Sequence, residues 1–284
     1  MFSKSIRIVT VWGIPIKLHV SLLLLLLFVL WKAPVDSLSD LLQVLAFLTI
    51  LFGSIAAHEL GHSYVAIRQG CRVREITLLC MGGAAQMEQI SSRPRDEIRM
   101  ALAGPAVSLT LGLMAGAALL AFPAAAGTAA QGNALAELGY NLLLVLGFIN
   151  MMLAIFNLLP AFPMDGGRVL RAALTPRLGR LRATDVAARL GRFLAVGLVL
   201  VGIFGLPGVP MFNARDPFPI LIGLFVFSMA GQEFKRVRIE EMLRQGRAAW
   251  PFPIAPPPDH TIDENVIVGP PPYARREHDA DDRS

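Results

Sequence analysis

The sequence predicts an all-α polytopic membrane protein with six transmembrane helices and small membrane-associated β elements. Three observations predict it. Of 284 residues, 54% are hydrophobic and only 17% charged, with a mean hydropathy of +0.56, whereas a soluble domain carries about 25% charged residues. Six apolar stretches approach the roughly 20 residues that a bilayer-crossing helix needs. The Lys and Arg residues gather in alternate connections between those stretches. This composition excludes a disordered chain, a disulfide scaffold and an ordinary cytosolic enzyme; the two cysteines, Cys71 and Cys80, cannot supply a disulfide framework.

In chain order, residues 6–17, RIVTVWGIPIKL, read as a short strand meeting the membrane surface. The spans follow at about 18–32, 42–67, 98–123, 138–160, 190–208 and 217–233; the last is short and carries Pro217 and Pro219. The first imitates the apolar region of a signal peptide over Ser21–Leu30, but a long, partly apolar segment precedes it and no small-x-small cleavage site follows Trp31. Residues 71–90 alternate like strands around Val73–Leu79, then pass through Gly82-Gly83, which suggests a membrane-associated hairpin. Beyond about Arg247 the tail holds Pro251, Pro253, Pro256–Pro258 and Pro270–Pro272 and ends in a charged run. Such a segment cannot bury a core and is expected to be disordered, with His260 and His278 solvated. The expected division is residues 1–17 as an N-terminal strand segment, 18–233 as the membrane domain and 234–284 as the tail.

Orientation follows from charge. With the N-terminus inside, only Lys32 and Arg215 of 26 basic residues fall in outside connections, and the loop 124–137 has none. Both termini are therefore expected in the cytoplasm, in a bacterial-type cell membrane. Anchoring to anionic lipid accounts for the net charge of +5 without nucleic acid. Cys71 and Cys80 are expected reduced, with no metal role.

Three ionisable residues, His58, Glu59 and His62, sit inside the second span. A charged group at mid-bilayer costs about 2.5–3.5 kcal/mol even on the insertion scale, so such residues are functional candidates. His58 and His62, four apart, project from one helical face one turn apart and can reach one metal. Glu59 is rotated by about 100° and borders the same cavity. The His-Glu-x-x-His pattern is that of a zinc hydrolase, with two ligands and a general base. A catalytic zinc requires a third ligand and an open fourth position. Asp165 is the candidate, in GFINMMLAIFNLLPAFPMDGGR at the end of the fourth span. Pro160 and Pro163 interrupt that helix, Gly166-Gly167 is expected to give the backbone freedom, and irregular backbone at membrane depth belongs beside a cavity. Both spans run from outside to inside, which brings the three ligands to one depth. Asn150 reads as an amide joining helices, and Asn157 as a residue serving the site. His19, at the start of the first span, reads as structural.

HELGH on one span and NLLPAFPMDGGR after a later one resemble the site-2 protease family of intramembrane zinc metalloproteases. ALAGPAVSL (Ala101–Leu109) resembles its Gly-Pro segment, and GIPIKLHVSLLL (Gly13–Leu24) the entry to the first helix in the branch related to sporulation-factor proteases. The resemblance covers roughly residues 10–232. It implies a three-helix catalytic core over the second, third and fourth spans, within residues 42–167. It implies cleavage of transmembrane protein substrates within or near the membrane and one Zn2+ per chain. His58, His62 and Asp165 would be its ligands and Glu59 the catalytic base, while Asn157 would help hold the substrate or the oxyanion. Met164 stands where relatives often have Leu, a volume-similar exchange. The roughly 30 residues between spans two and three are too few for the PDZ domain of some relatives, and the tail lacks the pattern of nucleotide-binding regulatory domains.

Beside that reading, the edge of the 71–90 hairpin, with Gly82 and Gly83, could hold an unwound substrate by strand addition. Gly112-x-x-x-Gly116 could pack against another helix, within or between subunits. A metal or ion transporter also explains intramembrane His and Asp, but gives Glu59 no distinct role. A non-catalytic membrane scaffold would tolerate loss of a ligand, yet every ligand is present.

Overall fold

The computed structural model describes residues 5–22, 27, 37–79, 82–88, 93–121, 134–205 and 217–248. The first predicted span lies mostly outside these residues, as do Cys80, the loop 122–133 and the tail from 249. The elements are β1 (Ser5–Val11), β2 (Ile14–His19), α1 (Leu38–Arg68), β3 (Arg72–Leu79), β4 (Gly82–Glu88), α2 (Pro94–Ala121), α3 (Ala134–Leu158), α4 (Asp165–Leu178), α5 (Arg180–Phe204) and α6 (Pro217–Ala248).

Four helices among the described residues are long and apolar enough to cross a membrane: α1, α2, α3 over Ala136–Leu158, and α5. Their large apolar side chains stay exposed, among them Leu113, Met114, Phe148, Phe156, Phe193 and Leu200. Lipid, rather than a protein core, is the environment that suits such faces. α1 opens with a capping box, in which Ser37 and Asp40 satisfy each other's backbone N–H groups. It closes at Gly70, whose φ of +83° turns the chain straight into β3.

The N-terminal segment and the 71–90 segment join in one four-stranded sheet of order β1-β2-β3-β4. In place of the single short strand expected over 6–17, β1 and β2 form a hairpin across Trp12 and Gly13, both with positive φ as a type I′ turn requires, so the chain reverses in the middle of that stretch. β2 then pairs in parallel with β3, Ile16 opposite Ile76, and β3 pairs antiparallel with β4, Leu78 opposite Gly83. Ile14, Ile16, Ile76 and Leu78 bury one sheet face against Phe52, Ile55, Ala56 and Leu60 of α1. The sheet is thus bound to the helical turn that carries the predicted ligands.

Three helices also differ from expectation. α4, a 14-residue helix, and the first ten residues of α5 occupy a stretch whose many arginines read as connection. α6 begins at Pro217 and continues beyond 233 to Ala248; proline fits a first turn, where backbone N–H groups have no helical partner. Gly166 and Gly167 are helical and supply closeness rather than freedom: a Cβ on Gly166 would stand 2.3 Å from the Leu159 carbonyl oxygen, and one on Gly167 2.6 Å from Phe162 N. They allow α4 to fold back directly onto the broken end of α3.

Candidate metal centre

His58 and His62 lie on α1 and Asp165 is the first residue of α4; all three are buried. Their donor atoms converge. His58 Nε2 and His62 Nε2 are 3.2 Å apart, and Asp165 Oδ2 is 3.2 Å from the first and 3.1 Å from the second. A tetrahedral site with bonds of about 2.0–2.1 Å has ligand–ligand edges of about 3.3–3.4 Å. The triangle therefore has the size of one face of such a site.

The second nitrogen of each imidazole is also fixed. His62 Nδ1 donates to the Met100 carbonyl at 2.7 Å, which in the neutral ring leaves the lone pair on Nε2. That lone pair faces an Asp165 carboxylate oxygen, an arrangement of two acceptors that a cation between them resolves. His58 Nδ1 meets Ser108 Oγ at 2.9 Å. Both partners sit on α2, and both orient rings as outer partners of metal-binding histidines do. The two rings stand edge to face at 81°. Two imidazoles and a carboxylate form a donor set suited to zinc.

Helix α2 reaches this point because of Gly104. A Cβ there would stand 2.3 Å from His62 Nε2 and 2.7 Å from His58 Nε2. Gly61, within the motif, permits the crossing of the helices: its Cβ would meet the Ala103 carbonyl oxygen at 2.8 Å.

Glu59 stands beside the triangle, within electrostatic range of His62. Its carboxylate lies against β4, where a Cβ on Gly83 would stand 3.0 Å from Glu59 Oε1. Gly82 pairs with Leu79 in the sheet. Asn157 sits one turn before the helix break and donates to the Leu153 carbonyl at 2.8 Å. Asn150 donates to Ser54 Oγ at 2.8 Å and so joins α3 to α1. His19 makes a local contact with Ser21. Cys71 is buried. Among the described residues, His58, His62 and Asp165 are the one group of three or more His, Cys, Asp or Glu side chains arranged to hold a metal.

Sequence reasoning missed Ser108 and Gly104 as individual residues, although both lie in the Ala101–Leu109 segment. It missed the Met100 carbonyl, which carries no side-chain signal. It also missed a triad in which the buried Arg171 of α4 joins the buried Glu97 of α2 and the partly exposed Glu233 of α6.

The family model of Peptidase family M50 matches residues 46–131 and 126–198. The chain belongs to peptidase family M50. A zinc metalloprotease of Methanocaldococcus jannaschii is 36% identical to this M50 member over 92% of the chain and 70% of the relative. A candidate zinc metalloprotease of Synechocystis is 33% identical over 85% of the chain and 62% of the relative. The solved structure of a site-2 protease from Methanocaldococcus jannaschii matches with a TM-score of 0.56 and 36% identity, over 81% of this chain and 95% of that one. The M50 chain is thus a mostly helical integral membrane protein of a metallopeptidase family, and zinc is the metal named in its relatives.

Proposed function

We propose that this M50 protein is an intramembrane zinc endopeptidase that cleaves transmembrane protein substrates within or near the bilayer. The observation that carries the proposal is the triangle of His58 Nε2, His62 Nε2 and Asp165 Oδ2, with Glu59 beside it and a strand edge beside Glu59. His58, His62 and Asp165 hold the zinc. Zinc bound there supplies a Lewis acid that acidifies a water and polarises a carbonyl. Glu59 is the general base: its carboxylate takes a proton from the attacking water and delivers it to the leaving amine nitrogen. Met100 and Ser108 keep the ring Nε2 atoms facing the centre. Asn157, at the helix break, helps hold the substrate or the oxyanion.

A transmembrane substrate is helical, and its carbonyls are occupied by hydrogen bonds, so it must unwind before attack. Among the described residues, β4 pairs only with β3. Its second edge offers an unwound segment main-chain hydrogen bonds beside the base. Gly83 keeps that strand slim enough for backbone and carboxylate to approach, and Gly82, beside it, belongs to the same substrate-holding edge. In this reading α1, α2 and α3 form the catalytic core, the chain crosses the membrane six times and both termini are cytoplasmic. Glu59 favours this reading over a metal transporter, in which a second acid, beside the ligands and against a strand, has no task.

Elemental analysis of purified protein tests the metal site. We expect about one zinc per chain, lost in large part from His58→Ala and from Asp165→Ala. Full zinc in Asp165→Ala would remove the third ligand from the account.

A further inference from the structure

Arg171, like its partner Glu97, is a buried charged residue that the mechanism above does not use. It is 5% exposed, on α4, six residues beyond Asp165. Its guanidinium reaches three other parts of the fold. Nε donates to Glu97 Oε1 at 2.8 Å, and Nη2 donates to the same oxygen. Nη1 donates to Glu233 Oε1 of α6 at 2.8 Å. The guanidinium carbon lies 5.0 Å from the centre of the Phe162 ring, in the loop that leads into Asp165.

Those contacts close a circuit. Glu97 is in the first turn of α2, three residues before Met100. Met100 accepts the hydrogen bond that sets the His62 ring, and His62 Nε2 faces Asp165 Oδ2. The loop is further held by Phe162 N–H donating to the Ala187 carbonyl at 3.2 Å. It is seated where Gly191 makes room: a Cβ there would stand 2.0 Å from the Phe162 carbonyl oxygen. Asp165 comes from an element far in sequence from the two histidines, and α2 lies between them. Its distance to His62 therefore depends on how α4 is fixed to α2.

We propose that Arg171 is a positioning residue for the metal centre: its forked contacts to Glu97 and Glu233 set the distance between Asp165 and the two histidines. The proposal rests on the metal-site reading given above. A buried ion pair such as Arg171–Glu97 is poor evidence of net stabilisation, because desolvation offsets much of the attraction. A planar guanidinium with fixed donor directions is, however, well suited to hold three elements in one geometry. Residues that orient ligands typically carry a 10- to 100-fold effect on metal affinity when lost.

The test is zinc affinity by chelator competition on the full chain in detergent. Helical content and the thermal midpoint of each metal-free protein are measured beside it. Arg171→Lys keeps the charge and loses the fork. Arg171→Met combined with Glu97→Gln removes the main pair without stranding the buried Glu97 carboxylate; the partly exposed Glu233 loses its partner. We expect both to bind zinc about 10-fold or more weakly at wild-type helical content, and Glu233→Gln to show a smaller loss. With Co2+ in place of zinc, the ligand-field bands of Arg171→Lys should shift. Should the double variant fail to fold, Arg171→Lys decides alone. Zinc affinity within twofold of wild type and unshifted Co2+ bands, whatever the thermal midpoint, would overturn the proposal and leave the triad a purely structural one. His58→Ala serves as control: if it too keeps wild-type affinity, the failure belongs to the metal-site reading and not to Arg171.

Discussion

Glu59 and Gly83 touch: a Cβ on Gly83 would lie 2.4 Å from Glu59 Cγ. The residues belong to α1, a helix long and apolar enough to cross a membrane, and to a β-strand that pairs only with β3 among the described residues. Their contact brings the base and the substrate-holding edge of the proposed mechanism to one place, because a glycine is the one residue that lets the strand backbone come so near.

Gly83→Ala should therefore displace the Glu59 carboxylate while leaving the ligands alone. The displaced atom is Cγ, near the root of the side chain, so a small tip rotation does not relieve the clash. We expect proteolysis to fall about 10-fold or more, within the range attributed to general base action. Zinc content should be unchanged. Peptide cleavage at wild-type rate would show that Glu59 has room the structure does not give it.

Gly104→Ala should act on the opposite side of the site. Its Cβ would press on His62 Nε2 and His58 Nε2 together. Either the rings turn or α2 withdraws, and withdrawal also moves the Met100 carbonyl and Ser108. Zinc affinity should fall by about 100-fold or more, above the usual effect of an outer partner. A competition assay that finds near-normal affinity would contradict the placement of α2.

Ser108→Ala removes the partner of His58 Nδ1 and nothing else from the ligand triangle. The ring loses its orientation but keeps its position. A loss of zinc affinity of about 10-fold is expected, with helical content unaltered. Ser108→Thr, which keeps the hydroxyl, should recover part of it.

Much of the site is legible in the sequence because lipid makes ionisable residues conspicuous. The spacing of His58 and His62 gives one helical face, and the break at Pro160 and Pro163 points to Asp165. The partners of the ligands are harder to read. A serine in an apolar helix is common, a backbone carbonyl leaves no trace, and both depend on the rotation of α2 about its axis. α4 escapes because Arg168, Arg171 and Arg177 give it the composition of a cytoplasmic connection, although Arg171 is buried. The strands are visible as local alternation, but the parallel pairing of β2 with β3 joins residues some sixty positions apart, such as Ile16 and Ile76, and no local pattern encodes that partnership. Gly166 and Gly167 illustrate a different ambiguity. A glycine pair reads equally as flexible backbone and as close packing, and here the carbonyls of Leu158 and Leu159 decide for packing.

The central claim is that Glu59 moves protons beside a zinc held by His58, His62 and Asp165. Glu59→Gln tests it most directly, because Gln has nearly the same shape and cannot accept a proton at neutral pH. Cleavage of a transmembrane substrate and zinc content should be measured on the same purified preparation. General base action contributes about 10²–10⁴-fold, and the same residue must also protonate the leaving amine. The account predicts activity below about 1% of wild type with zinc near one per chain. Retained proteolysis at a tenth of wild type or more, or loss of zinc from the variant, would contradict it.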